Sequence, residues 1–70
     1  RPRNITYARQ VAMYLSRTLL DEPYAQIGKS FGGRDHTTVM YSVNTVEERM
    51  RENRETREEL ETIRQMIRDQ

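Results

Sequence analysis

The first half of the chain contains a helical pattern of apolar side chains between residues 7 and 20. These apolar positions have the i, i+3, i+4, i+7, i+11 spacing of one helix face: Ala8, Val11, Ala12, Leu15 and Leu19. Thr6 stands in front of them, where a hydroxyl can cap the first turn. Residues 1–6 place Pro2 between two arginines ahead of the pattern. We therefore predict an extended basic arm over residues 1–6 and helix 1 over residues 7–20.

A second, shorter helix is predicted over residues 23–31. Pro23 suits the first position of a helix, because its missing N–H needs no partner there. The side chains expected to point inward have the i, i+3, i+7 spacing: Tyr24, Ile27 and Phe31. Gly32 and Gly33 follow, and glycine readily takes the left-handed backbone that ends many helices. A tight glycine turn should therefore separate this helix from the next.

A third helix is predicted over residues 35–50, with Asp35 placed to cap it. One arc of this helix is apolar and should face the core: Val39, Val43, Val46 and Met50. The opposite face displays polar groups, with His36 exposed in the first turn: Thr37, Tyr41, Asn44 and Glu48. A fourth helix over residues 54–69 has a single apolar stripe: Leu60, Ile63, Met66 and Ile67. The predicted fold is all-α, a small helical bundle containing a helix-turn-helix.

The composition changes this picture only in part. A chain of 70 residues makes one small domain, and deep pockets are not expected at this size. It has no cysteine, no membrane-span pattern and no signal-peptide pattern, which favours a cytoplasmic setting. Because it begins with Arg1, we expect it to be part of a longer protein. Residues 1–34 carry six basic and two acidic side chains, a net +4, whereas residues 35–70 carry a net −3. The basic half attracts anions, although an ordinary solvated surface would also explain it.

Asp35, His36 and Thr37 are residue types found in catalytic relays. Adjacent side chains on a helix point about 100° apart, so we expect no triad among them and no enzymatic activity. His36 is the only histidine and there are no cysteines, so we expect no metal site. The "GKS" of residues 28–30 lacks the remainder of a phosphate-binding loop. No cofactor is expected in this domain.

The helix-turn-helix instead favours DNA binding. The first turn of a recognition helix enters the major groove, where short polar side chains reach base edges. His36 can donate or accept there, and Asp35 can accept from a cytosine amino group or simply cap the helix. Arginines in the predicted arm can enter a minor groove, and those beyond it can neutralise phosphates or remain solvated: Arg9, Arg17 and Arg34.

Three segments together resemble one known family: "FGGRDHTTV" at residues 31–39, "ARQVAMYLSRTL" at residues 8–19 and "IG" at residues 27–28. They are similar to the C-terminal DNA-binding domain of the DnaA family of bacterial chromosomal replication initiators. The resemblance is dense from Tyr7 to Val46 and general beyond Arg49. It implies sequence-specific binding to double-stranded DnaA boxes of the TTATCCACA type at a replication origin.

The resemblance also implies roles for single residues. Those matching base-contacting positions in the major groove are Asp35, His36, Thr37 and Thr38. Arg1 matches an arginine that enters the minor groove. Those matching backbone-contacting or basic positions are Arg3, Gln10, Arg17 and Arg34. ATP binding belongs to a module outside this chain, and other initiator protomers would be contacted through missing domains. Regulatory proteins are further expected partners, in the cytoplasm and in association with the nucleoid.

The sequence departs from the family pattern at two places. Pro23, Tyr24 and Ala25 stand where many members have Ser-Leu-Pro, and Tyr7 and Ala8 stand where Arg-Pro or Phe-Pro occurs. Two rival functions remain open from the residues alone. One is a helix-turn-helix transcription regulator of another kind. The other is a protein-interaction bundle that uses the exposed face of helix 3: Tyr41, Asn44 and Glu48.

Overall fold

The structure is a computed structural model that describes residues 2–69, with side chains described from Ile5 to Asp69. It contains four α-helices: α1 (Pro2–Leu19), α2 (Tyr24–Ser30), α3 (His36–Glu52) and α4 (Arg54–Arg68). Within residues 2–69 there is no strand. The predicted all-α bundle is therefore confirmed. None of the four helices, over the part of the chain described, is both long and apolar enough to cross a membrane.

The extended arm predicted for residues 1–6 is wrong for residues 2–6, which belong to α1. Proline is compatible with the first turn of a helix, since its fixed φ is helical and its missing N–H needs no partner there. Thr6 consequently lies inside the helix and does not cap it. Arg1 and its predicted place in the arm lie outside the described residues.

The remaining helix boundaries lie within two residues of the prediction, and the start of α4 agrees with it. Pro23 and Asp35 each stand one residue before their helix, in extended backbone, rather than inside it. Asn53 separates α3 from α4 and caps α4, because its side-chain oxygen accepts from the Thr56 N–H at 3.1 Å. Asp21 takes a left-handed φ of 55° and turns the chain after α1.

Helix α3 lies at the centre of the bundle and packs on each of the other three helices. The buried apolar side chains come from all four helices: Met13, Tyr14, Ile27, Val39, Val43, Val46 and Leu60. The predicted arc of α3 is confirmed, with Met50 partly buried at its end. Ile27 of α2 is fully buried, and Tyr24 and Phe31, the residue that follows α2, pack against the core as predicted.

The core face predicted for α1 is wrong, because none of its five residues is among the buried ones. Met13 and Tyr14 are buried, whereas Ala8 is exposed and Val11 and Leu15 are only partly buried. Counting apolar positions weighs alanine equally with larger residues. Burying Met13 and Tyr14 removes much more apolar surface from water than burying alanines would, so packing turns α1 that way.

The predicted stripe of α4 packs only at one position. Leu60 is buried, whereas Ile63, Met66 and Ile67 are 38%, 63% and 46% exposed. The reason is geometric, since α4 packs mainly on α3. Residues in the second half of α4 are therefore left at the surface.

The turn between α2 and α3 depends on three glycines. Gly32 and Gly33 have φ values of 90° and 76°, which confirms the predicted left-handed turn. Gly28 is buried in α2, and its carbonyl oxygen accepts from the Arg34 N–H at 2.8 Å. A Cβ at Gly28 would overlap the carbonyl oxygen of Arg34. The turn therefore folds back onto α2 at a residue without a side chain.

We predict that Gly28→Ala destabilises the fold. Forcing extra volume into such a contact costs roughly 1–3 kcal/mol of unfolding free energy. The upper part of that range is expected, because the added methyl meets backbone and not a movable side chain. Urea unfolding followed by circular dichroism measures the change. Ser30→Ala, an exposed position on the same helix, is the control and should be nearly neutral. Equal stability of the two variants would contradict the close packing of Gly28.

Candidate nucleic-acid interface

Residues 35–38, which we call the recognition turn, form the exposed start of α3. All four side chains are exposed, and those of Asp35 and His36 are 66% and 59% accessible. The next residue, Val39, is fully buried against the core. The buried valine anchors the helix while the four polar side chains before it face outward. The structure thus brings together the four residues predicted to contact bases: Asp35, His36, Thr37 and Thr38.

Asp35 links its two neighbours within the recognition turn. Its Oδ2 accepts a hydrogen bond from the Thr37 hydroxyl at 2.6 Å, and its Oδ1 lies 3.2 Å from His36 Nδ1. Asp35 occupies the N-cap position of α3, but its side chain makes no capping hydrogen bond to the helix backbone. Asp35 therefore stands at the predicted N-cap position, but its carboxylate does not cap the helix. The carboxylate contacts the side chains of Thr37 and His36 instead.

The approach of Asp35 to His36 differs from the expectation based on helix angles. The carboxylate does reach the neighbouring imidazole, because Asp35 lies in extended backbone ahead of the helix. The Thr37 hydroxyl, however, donates to Asp35 rather than to His36. A triad needs the imidazole between the acid and the hydroxyl. Here the acid lies between the other two groups.

The pKa of Asp35 is lowered from its ordinary value of 3.8. The largest cause is the hydrogen bond from the Thr37 hydroxyl, which stabilises the ionised form. A smaller desolvation effect opposes it. The charge of His36 and the nearby N–H groups of His36 and Thr37 lower the pKa further, although neither N–H makes a capping hydrogen bond. Asp35 is consequently a carboxylate at neutral pH.

A groove of about 200 Å³ lies beside the recognition turn, between α1 and α3. Eight residues line it: Thr6, Arg9, Gln10, Met13, Arg34, Thr38, Tyr41 and Ser42. One lining residue, Ser42, is buried and donates to the Thr38 carbonyl oxygen at 3.0 Å. The groove joins two predicted phosphate contacts, Gln10 and Arg34, to the predicted base contact Thr38.

Two groove residues stand out beside those predicted sites. Arg9 was expected only as a general phosphate contact, and Tyr41 only as part of a rival interaction face. Tyr41 lies one helical turn after Thr37 and Thr38 and is 68% exposed. That i+3/i+4 spacing was visible in the sequence. That Arg9 lines the same groove was not visible there, because it depends on how α1 packs on α3.

The other predicted phosphate contacts are placed differently. Arg17 donates to the Glu22 carbonyl oxygen at 3.1 Å and lies 3.6 Å from the Asp21 carboxylate. Its guanidinium also sits 4.9 Å from the centre of the Tyr24 ring. Arg17 therefore braces the loop between α1 and α2, and it is not among the residues of the groove. The backbone of Arg3 belongs to α1, while its side chain and the whole of Arg1 lie outside the described part of the chain.

We predict that Thr37→Val raises the pKa of Asp35 towards 3.8, because it removes the largest cause of the lowering. The hydrogen bond from Thr37 stabilises the ionised form of Asp35. Its contribution to stability is therefore present above the ordinary pKa and is lost as the pH falls through the lowered pKa. A carbon-13 titration of the Asp35 carboxyl group measures the change. Thr62→Val, an exposed threonine on α4, is the matched control. An unchanged Asp35 titration in Thr37→Val would contradict the hydrogen bond.

The sequence of this chain matches one protein family and several known proteins. The family described as "Bacterial dnaA protein helix-turn-helix" matches residues 1–46, which include α1, α2 and the first part of α3. The chain is 53% identical over 64 residues to the chromosomal replication initiator protein DnaA of Spiroplasma citri, covering 91% of this chain and 14% of that protein. It is 46% identical over 67 residues to the protein of that name from Streptococcus uberis, covering 96% of this chain and 15% of that protein.

A third relative, the DnaA protein of Streptococcus pyogenes, is 45% identical over 67 residues, with 96% of this chain and 15% of that protein covered. The chain thus spans only a small part of the length of the curated relatives it matches. No solved structure matches it. The identity to the relatives extends over nearly the whole chain, and the family match includes the recognition turn and the glycine turn before it. The chain therefore belongs to the bacterial DnaA helix-turn-helix family.

Proposed function

We propose that this domain binds double-stranded DNA sequence-specifically, at DnaA boxes of a replication origin, as part of a larger initiator of chromosomal replication. The observation that carries the proposal is the recognition turn: four exposed polar side chains on a helix start whose next residue is fully buried. Family membership supports the proposal, since the matched relatives are named chromosomal replication initiator proteins.

The geometry suits a helix that enters the major groove with its first turn. That groove is about 12 Å wide and admits an α-helix, while hydrogen-bonding groups on base edges distinguish all four base pairs. His36, Thr37 and Thr38 would contact base edges. Asp35 would contribute either directly or through its neighbours. The threonine methyl groups would meet thymine methyl groups.

The groove beside the recognition turn suits the DNA backbone. Arg34 and Gln10 would contact phosphates there, and Arg9 adds a third donor on the same lining. Arg17 is proposed as a phosphate contact only through the part of its guanidinium that the loop leaves free, with 37% of its side chain accessible. Arg3 as a backbone contact and Arg1 as a minor-groove contact are proposed from the family resemblance alone.

The wider activity is proposed for the intact protein, not for this chain. ATP binding and contacts between initiator protomers would belong to the remainder of a protein of which this chain covers about one seventh in its relatives. We propose no catalysis and no cofactor within this domain. A protein that binds a replication origin would be associated with the nucleoid in the cytoplasm. Regulatory proteins would bind it there.

We predict that His36→Ala and Thr37→Ala each weaken binding to a duplex DnaA box by roughly 1–3 kcal/mol, the cost of removing one base-reading side chain. Binding to a scrambled duplex of equal length should change much less, because phosphate contacts supply nonspecific affinity. Fluorescence anisotropy titrations in moderate salt measure both.

Thr62→Ala is the matched control for this measurement, because it removes an exposed threonine from α4. It should leave both affinities unchanged. Equal losses on the box and on the scrambled duplex would argue against base reading by the recognition turn.

We predict that Arg34→Gln makes the negative slope of log affinity against log salt less steep, on any DNA sequence. The change should be about 0.9 for each phosphate that the domain no longer neutralises. The reason is that each neutralised phosphate releases condensed counterions. Arg68→Gln, an exposed arginine at the end of α4 and outside the groove, is the control and should leave the slope unchanged. If the two variants have the same slope as the unchanged domain, Arg34 does not bind a phosphate.

A further inference from the structure

The turn that follows α1 places the carboxylate of Asp21 beside the helix it has just left. The N–H groups of Leu20 and Glu22 both donate to the Ser16 carbonyl oxygen, at 3.2 and 3.4 Å. Asp21 lies between them with a left-handed φ of 55°, a backbone conformation that Asp and Asn adopt more readily than most residues. Its Oδ1 then lies 3.6 Å from Arg17 Nη1, which is an ion-pair distance.

The same loop holds the Arg17 guanidinium by two further contacts. Nη1 donates to the Glu22 carbonyl oxygen at 3.1 Å, and the guanidinium carbon lies 4.9 Å from the centre of the Tyr24 ring. A guanidinium has five N–H donors, and among the described residues only Nη1 has a hydrogen-bond acceptor. Arg17 can therefore still donate to an anion.

Arg17 lies on the face of α1 that lines the groove. Thr6, Gln10 and Met13 line the groove, and Arg17 follows them at the helical spacing i, i+4, i+7, i+11. At 1.5 Å per residue, Arg17 is about 10 Å beyond Gln10 along the helix axis. A DNA strand that follows α1 out of the groove would reach Arg17.

The charge around Arg17 differs from that around the arginines of the groove. Among the described residues, no carboxylate lies within 4 Å of Arg9 or Arg34. Arg17, by contrast, has the side chain of Asp21, which is 93% exposed, and the neighbouring Glu22 adds a second acid. The three side chains together carry a net charge of −1. A phosphate that approaches Arg17 therefore also approaches like charge.

We propose that Asp21 competes with DNA phosphate for Arg17, and that it thereby lowers the affinity of the domain for DNA of any sequence. In the free domain its carboxylate compensates the charge of the guanidinium. A phosphate at Arg17 gains less attraction than it would at an unpaired arginine, and Asp21 repels it. This inference rests on the proposed function and deepens it, because it names a residue that limits affinity without contacting a base.

Asp21→Asn tests the proposal, because asparagine tolerates the left-handed backbone and carries no charge. It should strengthen binding to a duplex DnaA box and to a scrambled duplex alike, by about two- to fivefold, the size expected from one exposed ion pair. The negative slope of log affinity against log salt should become steeper by up to about 0.9, because the uncompensated Arg17 neutralises a phosphate. Fluorescence anisotropy titrations at several salt concentrations measure both quantities.

A double-mutant cycle separates competition for Arg17 from simple repulsion of DNA. In an Arg17→Gln background, Asp21→Asn should change the affinity by less than about 1.5-fold and leave the slope unchanged. Glu22→Gln is the matched control, since it removes the same charge from the next residue and keeps the carbonyl oxygen that accepts from Arg17. Its effect should be the same in both backgrounds.

Three results would overturn the proposal. One is an unchanged or weaker affinity of Asp21→Asn for both duplexes. Another is an equal gain from Asp21→Asn in both backgrounds, which would show repulsion that does not depend on Arg17. The third is a Glu22→Gln effect that depends on Arg17 as strongly as the Asp21→Asn effect does.

Asp21→Gly is a second variant in case asparagine disturbs the turn, since glycine takes the left-handed backbone without strain. It should give the same gain in affinity and the same dependence on Arg17. Failure of the proposed function is distinguishable from these outcomes. It would appear as equal affinity of the unchanged domain for the box and the scrambled duplex, whereas the effect of Asp21 is measured on each duplex separately.

Discussion

The contact between Gly28 and Arg34 determines where the recognition turn points. The Arg34 N–H donates to the Gly28 carbonyl oxygen, and the Arg34 carbonyl oxygen occupies the space that a Cβ at Gly28 would need. The glycine turn is thus held against α2 through both the N–H and the carbonyl group of Arg34. Because α3 begins two residues after Arg34, a change at this contact would move every group of the recognition turn. Arg34 itself is held by the same contact at the edge of the basic groove.

The central position of α3 makes this placement rigid. Val39, Val43 and Val46 are buried against the other helices, so α3 has little freedom to rotate or slide. A domain of 70 residues has a small core, and here most of it is arranged around one helix. The consequence is that short side chains suffice at the recognition turn. Long flexible ones would lose more conformational entropy when they became ordered on a ligand.

Helix α3 and the recognition turn could be predicted from the sequence, because the valines recur at helical spacing and the two glycines mark the turn. Helix α1 was harder, since apolar side chains surround much of its circumference and several arcs compete until packing selects Met13 and Tyr14. The groove could not be predicted, because it joins Arg9 and Gln10 to residues more than twenty positions away. The contacts of the Asp35 carboxylate with Thr37 and His36 could not be predicted either. They depend on the position of Asp35 one residue ahead of the helix, and sequence patterns do not locate a helix boundary that closely.

The two departures from the family pattern place tyrosines where arginines stack on them. The Arg17 guanidinium lies over the Tyr24 ring at 4.9 Å, and that of Arg49 lies over the Tyr7 ring at 4.8 Å. Each pair joins different helices, α1 to α2 and α3 to α1. A partly exposed cation–π contact contributes about 0.5–1 kcal/mol, and it directs the charge towards the ring as well as towards solvent. In this chain Arg17 therefore supports the loop before α2, and through α2 and Gly28 it supports the start of α3.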